Sequence, residues 1–241
     1  MIFPTFFCFA LAAVSASPSL DSTAWPVNST ARGVFEGPIA ILNGYLWEEG
    51  GWDPPFVSGD ELQLVGIVLE DDSTMELPWE METYSYTFWA HSMIAVEETL
   101  EGSTRKVSYA GGEFGIYREP PPPNYDYGIN PPNETSPATF SDGDLFFGGN
   151  IESASIEFNA TGQPKLLSLF GLHYTTGSVI DLVLAQCGAC WGFMQAALLQ
   201  NPKPIQEVPD GYDFGFAGTF MNLFTTSVEA QSWGRLKALY R

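Results

Sequence analysis

The chain is poor in the residues that most often carry chemistry. It has two histidines, His91 and His173, and three cysteines in 241 residues. It contains no His-Glu-x-x-His pair, no Gly-x-Ser-x-Gly elbow and no Walker-type phosphate loop. A Ser-His-Asp triad would have to recruit one of the two histidines. Both lie in aromatic, strand-like surroundings, TFWAHSM and FGLHYTT, where a structural role is the expectation. Basic residues are scarce as well: nine Lys and Arg stand against 29 Asp and Glu, for a net charge of −20. A surface of that sign repels nucleic acid and anionic lipid, and suits a soluble extracellular protein. After the first 16 residues there is no apolar run of the roughly 20 residues a spanning helix needs, so no membrane span is expected.

The N-terminal segment, MIFPTFFCFALAAVSASPSL, is the exception to this polarity. Ile2 to Val14 are almost wholly apolar, and Val14-Ser15-Ala16 is a small-x-small cleavage pattern followed by Pro18. We read residues 1–16 as a secretory signal peptide, which places the protein outside the cytoplasm. Cys8 would leave with it. Cys187 and Cys190 then remain, an even number in an oxidising compartment, in the stretch QCGACWGFM.

What the chain has in quantity is aromatic residues and turn formers: 18 Phe, 10 Tyr and 7 Trp, with 24 Gly and 18 Pro. That composition favours strands. Period-two alternation marks a strand at 83–88. Further strands are expected at 61–70, 105–109, 113–117, 151–158, 165–172, 178–185 and 212–220. Asn159-Ala160-Thr161-Gly162 reads as a hairpin turn. Residues 119–137 hold seven prolines and read as an exposed loop within one domain spanning 17–227. Two helices are expected. One follows Cys190, over Trp191 to Gln200. The other is an amphipathic basic tail over 228–241, with Trp233, Leu236 and Tyr240 on one face. The predicted fold is an all-β sandwich of jelly-roll type.

Four sets of residues are candidates for function. An apolar strand, Cys187-Gly-Ala-Cys190 and a helix is the local arrangement of a thiol oxidoreductase, in which a helix N-terminus favours thiolate. The β-patterned surroundings oppose that fold, so a short structural disulfide is the preferred reading, and zinc lacks a second ligand pair. Ser141-Asp142-Gly143-Asp144 and Asp210-Gly211-Tyr212-Asp213 place carboxylates around glycine. Asp142, Asp144, Asp210 and Asp213 are therefore candidate calcium ligands, although turn geometry alone also explains them. Trp47, Trp52 and Trp79 lie in acidic, Gly/Pro-rich segments and are candidate platforms for a polysaccharide, as in a carbohydrate-binding module or a glycosidase-like sandwich. Asn28, Asn133 and Asn159 begin Asn-x-Ser/Thr sequons in predicted loops.

One resemblance covers about the last 130 residues. The run Tyr109-Ala-Gly-Gly-x-Phe-x-Ile-Tyr117 is followed by Asn124-Tyr-Asp-Tyr-Gly-x-Asn130-Pro-Pro-Asn133 and by Phe140-x-Asp142-Gly143-x-Leu145-x-x-Gly148. Phe158-Asn-x-Thr-Gly162, Val208-Pro-Asp-Gly-Tyr-Asp213 and the tail Ser232 to Arg241 complete it. Together they resemble a loose group of secreted bacterial all-β proteins with no assigned activity. The resemblance implies a secreted all-β domain and no catalytic residues to carry over. It also implies a bacterial source, in which the three sequons would carry no glycan. The expectation is a secreted, acidic, non-catalytic surface or binding protein, with a cell-surface component or polysaccharide as partner.

Overall fold

The computed structural model describes residues 33–50, 57–71, 75–128, 136–187, 191–199 and 208–226. In chain order these form β1 (Gly33–Glu48), β2 (Glu61–Glu70), β3 (Ser85–Glu101), β4 (Thr104–Ala110), β5 (Glu113–Glu119), α1 (Ser136–Thr139), β6 (Asp144–Phe158), β7 (Pro164–Thr176), α2 (Ile180–Cys187), β8 (Trp191–Leu199) and β9 (Phe214–Thr226). The predicted leader 1–16 and the tail 228–241 lie outside the described residues.

The chain is all-β, but the sheet closes into a barrel instead of splitting into a sandwich. Each strand pairs antiparallel with its neighbours, and β9 returns to pair with β1. Strands β4 and β5 run end to end against both β3 and β6, joined across Gly111-Gly112. They act as one stave, which makes eight. Closure removes both sheet edges, which a sandwich of this strand count would leave open. Glycine pairs permit the wall to curve. Gly44 faces Gly66 across β1 and β2, and a Cβ on Gly44 would overlap the Val65 carbonyl oxygen. Such close backbone approach is a known use of glycine at barrel bends.

Alternation along the strands sorts side chains into two sets. Leu42 and Leu46 of β1, Leu62 and Leu64 of β2, Phe88 and Ala90 of β3, and Val107 and Tyr109 of β4 are buried in one inner cluster. Ile156 and Phe158 of β6, Leu167 and Leu169 of β7, Met194 and Ala196 of β8, and Phe216 and Phe220 of β9 join them. The interior is thus a packed, aromatic-rich core. One polar relay crosses it: the Tyr174 hydroxyl donates to Asn222 Oδ1, and Asn222 Nδ2 contacts the sulfur of Met75.

The end of the barrel where β2 runs into β3 is plugged. Residues 75–84 lay Leu77, Trp79, Met81 and Tyr84 against the core, and Val179, just before α2, and Val183 within it are buried in the same core. The Gln186 side chain clasps the plug, accepting from Glu76 N at 2.9 Å and donating to Glu76 O at 3.2 Å.

Outside the wall lies a second cluster. Tyr45 and Trp47 of β1 and Val65 of β2 face outward, and Phe140, Tyr125, Tyr127 and Tyr212 cover them. The Pro-rich loop after β5 therefore behaves as a strap. Thr87 Oγ1 donates to Phe140 O at 2.9 Å, and Tyr212 Oη donates to Tyr127 O at 2.7 Å.

Two elements are exchanged relative to expectation. Residues 178–185, expected as a strand, carry α2, and 191–199, expected as a helix, form β8. The strand WGFMQAALL turns Gly192, Met194, Ala196 and Leu198 inward, and β7 and β9 both pair with it. Without β8 the barrel would gape between those two staves, so closure overrides helix propensity here.

Candidate functional site

At the end opposite the plug, the inward row of β1 finishes in Glu48, after Leu42, Gly44 and Leu46. The position is core-like, yet it carries a carboxylate. Tyr109, 1% exposed on the inward row of β4, donates its hydroxyl to Glu48 Oε1 at 2.8 Å. The Glu48 backbone N–H donates to Asp213 Oδ2 at 2.8 Å, and Asp213 N–H donates to Leu46 O at 2.9 Å. These bonds dock the segment before β9 onto the end of β1. Asp60 closes the group, its carboxylate lying against the turn at Gly50.

Burial is the main cause that drives the Glu48 pKa up, to about 7. The bond from Tyr109 opposes it, the charges of Asp60 and Asp213 add to it, and Arg105 opposes it weakly. Arg105 is held elsewhere: its Nε donates to Glu98 Oε1 at 2.6 Å and its guanidinium lies 4.8 Å from the centre of the Phe158 ring. The Tyr109 phenol is pushed far up, first by burial and then by Glu48, so it remains a hydrogen-bond donor. The mouth therefore sets two carboxylates, Asp60 and Asp213, beside one carboxyl group whose pKa is raised to about 7. It can accept hydrogen bonds from a cationic group, and it can give or take a proton.

The candidates from sequence fall in different places. Trp47 is 2% exposed under Tyr212, with ring centres 5.3 Å apart. Trp79 packs on Tyr86, Phe146 and Phe147 in the plug, its Nε1 buried with no partner among the described residues. The Trp47 indole presents no face to a sugar, because Tyr212 and the strap cover it, whereas Trp79 is partly buried on the plug loop. Trp52 lies outside the described residues. The four aspartates do not converge: Asp142 and Asp144 sit at the plugged end, whereas Asp210 and Asp213 precede β9 at the mouth. Asp213 belongs to the Glu48 group; Asp210 is exposed on a turn. Among the described residues there is no group of three His, Cys, Asp or Glu placed to hold a metal ion.

Cys187 ends α2, and its side chain and Cys190 lie outside the described residues. Helix and strand flank the pair in the reverse of the thiol-oxidoreductase order, so no helix N-terminus follows Cys187. Asn28 and Asn133 are outside the described residues. Asn159 is exposed in the β6–β7 turn, where its Oδ1 accepts from Thr161 and Gln163. His91 stacks on Trp89 and lies 2.9 Å from Ser92 Oγ, and burial lowers its pKa. His173 lies 2.7 Å from Glu152 Oε1. Both are on the outer wall.

Sequence reasoning missed Glu48, Asp60, Tyr109 and Arg105. A usable signal existed in LNGYLWEE. Counting by twos from Leu42 through Leu46 lands on Glu48, a carboxylate in an inward row. No membrane-spanning helix candidate occurs among the described residues. Comparisons with protein-family models, characterised proteins and solved structures find no match to this chain.

Proposed function

We propose that the chain is a secreted, non-catalytic binding protein that takes an amine-bearing ligand at the mouth of its barrel. The observation that carries this reading is the convergence of Glu48, Asp60 and Asp213 at that rim, with Glu48 half-buried and held by Tyr109. An ammonium group seated there would accept no hydrogen bonds and donate three, which suits a set of carboxylate oxygens. The net charge of −20 would draw such a ligand from solution. The packed interior leaves the rim, not the lumen, as the place of contact.

Calorimetric titration with a triamine near pH 7 tests this. Cation binding favours the ionised form of Glu48, so binding releases a proton and the heat varies with the buffer's ionisation enthalpy. The double variant Glu48→Gln, Asp213→Asn should bind at least about tenfold more weakly, a difference of about 1.4 kcal/mol. Equal binding by wild type and double variant would remove the reading.

A glycosidase-like reading has one observation in its favour. A carboxyl whose pKa is raised to about 7 beside further carboxylates is the arrangement a general acid and its partner use. Turnover of aryl glycosides that disappears in Glu48→Gln would favour it over simple binding.

A further inference from the structure

Glu119, the last residue of β5, presents a different problem. Strand alternation turns it outward, yet it is 2% exposed, because the strap folds back over it. Its Oε1 is buried and has no hydrogen-bond partner among the described residues. Its Oε2 receives a long bond, 3.4 Å, from Asn124 N–H. The neighbouring Thr87 hydroxyl gives its proton to Phe140 O and also stands beside the carboxylate, a contact that offsets only part of the upward pull of burial on the Glu119 pKa. The adjacent Arg118 turns to the other face, over the Tyr84 ring, where Asp144 and Glu80 engage it at 3.5 Å and 3.8 Å. No side-chain cation among the described residues neutralises Glu119.

A second carboxylate is brought to this spot. Asp142 accepts from Asn124 Nδ2 at 2.9 Å. That bond turns the amide so that Asn124 Oδ1 remains an oxygen donor. Gly143 lets the turn descend: a Cβ there would stand 2.6 Å from Arg118 O and 2.9 Å from Glu119 Cγ. The chain thus presses an acidic turn onto a buried carboxylate one of whose oxygens has no hydrogen-bond partner among the described residues. An unpaired carboxylate is costly to bury, and like charges add to the cost. A bound cation removes both costs. The donors are all hard oxygens, which select calcium-class ions over zinc or copper.

We infer that Glu119, Asn124 and Asp142 form a divalent-cation site of the calcium class, which pins the strap to the barrel wall. Asp142 was a candidate from its Asp-Gly turn; Glu119 and Asn124 replace the other three aspartates as its companions. The site is independent of the Glu48 mouth, which lies at the other end of the barrel.

Calcium titration of the full chain in about 0.15 M NaCl should show one saturable site. Its Kd should be on the order of 0.1–1 mM, as in extracellular modules, and magnesium should bind at least about tenfold more weakly. Calcium at about 10 mM should raise the thermal midpoint by about 3–6 °C. Asp142→Asn should weaken binding at least about tenfold, and so should Glu119→Gln. Glu97→Gln, an exposed acid on β3, should bind as wild type does. Asp142 is exposed, so its variant should fold even where Glu119→Gln does not. Absence of a saturable site below about 10 mM, or binding unchanged in Asp142→Asn, overturns the inference.

Discussion

Glu48 shows how one side chain can be set against its own surroundings. Burial and the charges of Asp60 and Asp213 disfavour its ionised form, while the Tyr109 hydroxyl partly compensates. Its folded pKa of about 7 exceeds the ordinary carboxyl value near 4.5. Below about pH 4.5 both folded and unfolded chains hold the proton, and Glu48 costs nothing. Between about 4.5 and 7 the unfolded chain releases the proton first, so stability falls as pH rises. Above 7 the cost levels off, on the order of 2 kcal/mol once partial solvent screening is allowed for. Glu48→Gln should therefore match wild type in urea unfolding near pH 4 and exceed it by about that amount near pH 8. A difference independent of pH would mean that burial of charge is not what strains this position. Trp47 teaches the converse at the same scale. An indole in a Gly/Pro-rich acidic segment read as exposed, but strand parity put it outward on β1 and Tyr212 then covered it.

Among the elements, those with a strong period were legible and those shaped by closure were not. The expected strand 61–70 coincides with β2, alternation marks β6, and β4, β5 and β7 fall where glycine turns set off short strands. Strand β1 escaped notice because Gly37-Pro38 interrupts it. The structure accommodates Pro38 at a register shift between Pro38 and Ala40, where a ladder N–H is dispensable. The exchange of α2 and β8 has the same origin. VIDLVLAQ is apolar enough for a strand and WGFMQAALL has good helix formers, so local propensity points the wrong way in both. The strap adds an element that no periodicity announces. Phe140 is fully buried against Tyr125 and Tyr127, with ring centres 5.7 Å and 4.9 Å away. Phe140→Ala should cost about 3 kcal/mol and raise proteolysis within 120–141, with the far-ultraviolet spectrum of the barrel kept. Unchanged protease resistance would mean that the strap is held by other contacts.

For the molecule as a whole, charge and closure are the governing facts. With 29 acidic residues against nine basic, the chain's field acts on any charged partner before contact. The association rate of an amine-bearing ligand should fall at least about tenfold as NaCl rises from about 0.02 to 0.5 M, with a much smaller change in dissociation rate. Stopped-flow mixing measures both. A salt-independent association rate would restrict the role of charge to the rim itself.

The amino-acid sequence by itself determined the all-β class, the acidity, the poverty in catalytic residues and most strand positions, because each follows from composition or from a period of two within one segment. Tertiary structure decided the rest. The pairing of β9 with β1 made a barrel of what local pattern read as a sandwich. The same closure made β8 a strand, drew Glu48 beside Tyr109 across 61 residues, and folded the strap over Glu119. Those outcomes depend on which staves stand side by side, and a one-dimensional pattern records the faces of a strand without recording its neighbours.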